Sequence, residues 1–246
     1  MRDAEMRFSG GRSALASFIC DATVRGLRGI LSPSREPQRF EQATLVPPSE
    51  DDARAAIGYR VRTGTATAVL LGGPMSSPHV LARLQVPLCD ADDPDARQPY
   101  HVVTEQDETR GMKLVRQTMK AATDLATRAT QQLMRKAEEE RLRVRAAGLV
   151  VGSDVNPASL RSLHVRAHAL EGRLYREAVE AALSVCGLTC NVLVEREAVV
   201  QAAARIRTDQ TQLKATLNAM GKVAGRPWGA QEKMAAIAAW VALVRE

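Results

Sequence analysis

The chain has 246 residues, 45% hydrophobic and 25% charged, enough to bury a core without disulfides or metal, and its length suits one domain with an appendage better than two full domains. The formal charge of +6 favours phosphate-bearing partners, whereas aromatic residues at only 3% disfavour a nucleic-acid surface built on stacked rings. No apolar run approaches the roughly 20 residues of a membrane span, so no membrane partner is expected; Asp3, Glu5 and Asp21 break any signal-like stretch, so the expected location is cytoplasmic.

Residues 1–54 read as an N-terminal helix plus linker appendage, and 55–246 as the folded domain. Ser13 can cap a helix over 14–31, with Leu15, Ile19, Ala22, Leu27 and Ile30 on one stripe; two polar, proline-containing stretches follow. From Ile57 the pattern turns to strand. Alternation predicts strands at 56–62, 66–71 and 79–88, with a turn at Gly64 and a strand end at Pro87, which together make an antiparallel meander. The next stretch, CDADDPDARQPYHVVTEQDE, reads as a solvated acidic loop.

A long helix is predicted from Thr109 to about Arg145, its buried stripe running through Met112, Val115, Met119, Ala122, Ala126, Ala129 and Leu133. Its outer face concentrates positive charge in Arg110, Lys113, Arg116, Lys120, Arg128 and Arg135, the footprint expected of a surface that meets nucleic-acid phosphates. At about 1.5 Å per residue the helix over 110–145 would be about 50 Å long. It would overrun the sheet and could instead pair two copies of the chain as a homodimer.

Gly148 to Val151 form a short apolar run, a helical segment follows, and a second short run ends at Glu195, Arg196, Glu197. This spacing makes a right-handed β-α-β crossover with parallel strands. One helix over 196–220, stopped by Gly221 and Gly225, and a final amphipathic helix complete the chain, the latter with Met234, Ile237, Ala238, Val241 and Val244 on one side.

Three strands, helix, strand, helix, strand, helix is the element order of the ribonuclease H-like fold, an α/β mixed sheet flanked by helices. Within it, LVVGSDVNP, a helix, and then CNVLVEREAVVQAA resemble the second half of the RuvC and YqgF group of Holliday-junction resolvases. Gly152, Ser153 and Asp154 stand at that family's polar turn, and Glu195, Arg196 and Glu197 near its acidic triplet. The resemblance implies nucleic-acid association and, in active members, two Mg or Mn ions clamped by carboxylates that begin on the first strand. Here that strand is Ala56, Ile57, Gly58, Tyr59, Arg60, Val61, Arg62, with no acid, so a complete two-metal nuclease site is not expected.

Ligands of open α/β sheets bind beyond the carboxyl ends of parallel strands. This places Asp154, Asn156, His164, Arg166, His168, Glu171, Glu195 and Arg196 as ligand-binding candidates, with Asp154, Glu171 and Glu195 the acids of an alternative, active metal-dependent nuclease. Asn156 and Asp154 can equally serve as helix caps. His164 and His168 lie at i and i+4 with Glu171 three residues on, the spacing of a helical metal pair. The pair lacks the intervening glutamate of a helical zinc motif, and Leu163, Ala167, Leu170 and Leu174 mark the core stripe beside it. It therefore reads as a polar cluster on that stripe's edge, with a His164, His168, Glu171 metal site as the alternative. Cys20, Cys89, Cys186 and Cys190 form no CxxC pair and read as reduced packing residues.

Overall fold

The structure, a computed structural model, describes residues 54–244. These lie in one compact unit, Val46–Glu246; the other, Met1–Leu45, falls outside the described residues, as do the expected N-terminal helix and Cys20.

Strands β1 (Arg54–Arg62), β2 (Thr65–Gly72) and β3 (His79–Pro87) form the expected meander. Gly64 makes the first turn at φ 76°, a left-handed conformation that a side chain disfavours. Two short helices follow, α1 (Pro94–Arg97) and α2 (Pro99–Glu105), then α3 (Glu108–Glu139) and β4 (Arg143–Val151). A 3₁₀ turn at Pro157–Ser159 leads into α4 (Leu163–Val185) and β5 (Thr189–Val194). Helices α5 (Glu195–Ile206), α6 (Gln210–Ala224) and α7 (Ala230–Leu243) end the described chain.

The sheet order is β3-β2-β1-β4-β5, with β1 antiparallel to β2 and parallel to β4, and β4 parallel to β5. This is the ribonuclease H-like arrangement that the element order implies. Alternation along β1 splits the core: Ile57, Tyr59 and Val61 join α3 and α4 on one face, while Ala56 joins α5, α6 and α7 on the other. Gly58 and Gly148, side by side in the sheet, let α7 lie directly on it. A Cβ at Gly148 would come 2.4 Å from the Ala238 carbonyl oxygen.

Several expectations need correction. The long helix stops at Glu139, and Arg141 turns the chain at φ 59° into β4, so Arg143 and Arg145 are strand residues. Arginine and alanine suit a helix, but pairing with Arg54 and Ala55 of β1 overrides that propensity. The stripe of α3 through Val115, Ala122, Ala126, Ala129 and Leu133 is spent inside the chain, which leaves its polar face outward. The helix expected over 196–220 is two, broken at Arg207, which adopts φ 60°, and restarted by the Asp209 side chain accepting from the Gln212 N–H. Helix α7 is buried nearly all round from Ala235 to Leu243 instead of on one side. Among the described residues no helix is long and apolar enough to cross a membrane.

Candidate functional site

Strands β1, β4 and β5 run in parallel, and Val151 and Val194 are register partners, so the segments that follow them leave from one edge of the sheet. At this edge a cleft of about 680 Å³ is lined by Arg60, Arg62, the 151–157 segment and the α4 residues His168, Arg173 and Arg176. Asn156 acts as a cap, its side-chain oxygen accepting from the Ala158 N–H at 3.1 Å. Arg166 folds back to donate to the Leu160 carbonyl at 2.6 Å, and Arg196 stays exposed beside Glu197.

The candidate acids are each held by a different partner. Asp154 is paired with Arg176 at 2.6 Å, and Glu195 with Arg60 at 2.5 Å. Arg60 is 7% exposed; its Nη1 donates to the Val61 carbonyl, and burial lowers its pKa, an effect that Glu195 opposes. Two Mg or Mn ions need clustered carboxylate oxygens. The residues here do not fit them: β1 supplies a guanidinium, Asp154 and Glu195 are each occupied by an arginine, and Glu171 turns elsewhere.

Glu171 lies on the buried stripe of α4 with Ala167, Leu174, Tyr175 and Ala178, whereas Leu163, assigned to that stripe, is exposed. The carboxylate is fully buried, accepts from His101 Nδ1 at 2.7 Å, and faces His168 Nδ1 at 3.6 Å. Burial raises its pKa, against the lowering influence of His101 and His168. His101, His164 and His168 meet edge to face, with ring centroids 4.4 to 4.9 Å apart. Three of the chain's four histidines thus gather over one buried carboxylate, at a point where His168 also lines the cleft.

His101 belongs to α2, inside the stretch expected to be a solvated loop. The signals for helix were present: Asp93 caps α1, and prolines open both α1 and α2, where their missing N–H costs nothing. The packing of these helices fixes the histidine. The Tyr175 hydroxyl donates to the carbonyls of Ala96 and Arg97, and the Thr118 hydroxyl reaches Ala96 from α3. Gly111 lets α3 cross α2 at the closest approach, since a Cβ there would sit 2.5 Å from the Val103 nitrogen.

No family model matches the chain. No curated protein matches it either. Among solved structures, that of Thermus thermophilus RuvC is 12% identical, covering 76% of this chain and 92% of that one at a TM-score of 0.45. T. thermophilus RuvC in complex with a Holliday junction substrate is 10% identical, covering 76% and 91% at 0.44. Strand order and register by themselves carry the fold.

Proposed function

We propose that this chain binds nucleic acid through the sugar-phosphate backbone, along the outward face of α3, and does not cleave it by two-metal chemistry. The observation that carries this reading is the row Arg110, Lys113, Arg116, Lys120, Arg128 and Arg135, all exposed and opposite the buried stripe of α3. From Arg110 to Arg135 the row runs about 38 Å at 1.5 Å per residue, close to the roughly 34 Å of one duplex turn. Arg110 is paired with Asp95 and Lys120 with Asp124; the other four cations have no ion pair among the described residues. With no aromatic residue on this face, contact is electrostatic and sequence-tolerant.

Four cations without an ion pair among the described residues imply a slope of about −3.6 in log K against log salt on duplex. Titrating the full chain against duplex and branched DNA and duplex RNA over a salt series tests this. The combined variant Arg116→Gln, Arg128→Gln should reduce the slope by about two. Absence of binding at about 50 mM salt, or an unchanged slope in that variant, refutes the reading. Magnesium-dependent cleavage that Arg60→Met leaves intact would refute the second half.

A further inference from the structure

We propose that His101, His164 and His168 form a binding site for one transition-metal ion of the zinc class, held through the three Nε2 atoms. One ring nitrogen from each of the three already lies within 4.8 Å of the others. A tetrahedral ion with Zn–N bonds near 2.0 to 2.1 Å needs nitrogens about 3.3 Å apart, so the rings must close in by up to about 1.5 Å. His164 and His168 can move in this way, being about half exposed on successive turns of α4. His101, 12% exposed and clamped with α2, is the fixed anchor.

The disposition of the other ring nitrogens selects this chemistry. Each Nδ1 faces a carboxylate: His101 and His168 face Glu171, and His164 faces Glu105 at 3.2 Å. A carboxylate only accepts, so at His101 and His164, where the contact is a hydrogen bond, it holds the proton on Nδ1 and leaves the Nε2 lone pair for a metal, the carboxylate–histidine–metal arrangement; His168 Nδ1, at 3.6 Å, lies just beyond hydrogen-bond distance. Within this cluster two buried atoms lack a hydrogen-bond partner, His101 Nε2 and Glu171 Oε2. A cation bound at the Nε2 atoms would ligate the first and compensate the charge of the second. Three imidazoles suit Zn(II), Co(II), Ni(II) or Cu(II) and disfavour Mg(II), Ca(II) or Mn(II), which take oxygen ligands. Because His168 also lines the cleft, the ion would sit at the cleft's rim with a fourth position left for water or a ligand.

The experiment uses tag-free, full-length protein treated with chelator and titrated with Co(II), followed by Zn(II) in competition. One equivalent of Co(II) should develop the intense visible bands of a four-coordinate nitrogen site, and Zn(II) should bleach them. His164→Ala and His168→Ala, at exposed positions that leave the fold intact by circular dichroism, should each abolish the bands. His79→Ala, the one histidine on β3, should leave them unchanged. Glu171→Gln should weaken binding about 10- to 100-fold through the lost orienting carboxylate. Featureless spectra, or bands that survive the His164→Ala, His168→Ala double variant, would overturn the proposal and leave the cluster a proton-sharing one. Nucleic-acid binding rests on α3 and stands or falls separately.

Discussion

The Arg60–Glu195 pair offers the sharpest test of how the sheet edge is held. Arg60 is 7% exposed and Glu195 39%, so the two partners stand to lose unequally when separated. Glu195→Ala strips the guanidinium of its charged partner inside the protein, leaving Nη1 contacts to backbone carbonyls and an unpartnered Nε. A charge-assisted hydrogen bond contributes about 1.5 to 3 kcal/mol, and a first-turn acid on α5 adds about 0.3 to 1 through the helix dipole. Solvent reaching in from the glutamate's side keeps the total below the roughly 3 to 5 kcal/mol of a fully buried pair, so about 2 to 3 kcal/mol is expected. Arg60→Met removes the same bond but leaves a carboxylate that water can reach and a side chain that packs, at a cost of about 1 kcal/mol. Urea denaturation of both variants, their combination and Glu197→Ala as a control for the dipole forms the assay. Thermal midpoints should fall by about 2 to 4 °C per kcal/mol for a domain of this size. If Arg60→Met costs more than Glu195→Ala, or if the two costs simply add, the pair is not what holds the arginine in place.

Two further outcomes follow from packing and charge. Gly148→Ala, and Gly58→Ala with a Cβ 1.9 Å from the Ala235 carbonyl oxygen, should each cost about 3 kcal/mol or more because backbone must retreat; a loss under about 1 kcal/mol in denaturant melts would refute the direct seating of α7. Glu171 has its pKa raised above 4.5 by burial, so the folded state holds its proton more tightly than the unfolded chain does. Its contribution is greatest below that value and is lost as pH rises through the raised one. The stability of wild type minus that of Glu171→Gln, measured without metal, should therefore fall with rising pH in this window and flatten below it. The subtraction matters because His101, His168 and Tyr175 all interact with this carboxylate. A difference that grows with pH would reverse the argument.

The sheet was legible because its strands are short, apolar and separated by unambiguous turns. Gly64 and the run Gly72, Gly73, Pro74 bound the meander, and the 148–194 spacing allows only a parallel crossover. What misled was composition. Arg143, Arg145, Ala146 and Ala147 carry helix propensity, yet β1 presents an open edge whose N–H and C=O groups must be paired, so the chain enters the sheet five residues before Gly148. In the same way an unbroken alanine-rich pattern over 196–220 hides a two-helix corner that rests on one left-handed residue, Arg207.

The site was half legible, for a reason rooted in helix geometry. His164, His168 and Glu171 announce themselves through i, i+4 and i+3 spacing, but such spacing does not say which residue faces inward. The carboxylate proves to be the buried member and the two histidines the exposed ones, the inverse of what polarity alone suggests for an edge cluster. A buried glutamate requires a compensating donor, and that donor, His101, comes from a segment 70 residues away in sequence. No local pattern around α4 can point to it. Only docking of the proline-led helices α1 and α2 against Tyr175, Thr118 and Gly111 brings the ring into place, so the completeness of the histidine cluster depends on packing that is remote from its own sequence motif. A buried acid on a helix stripe thus requires a partner from elsewhere in the chain, and here that partner is the one histidine whose second nitrogen is also buried.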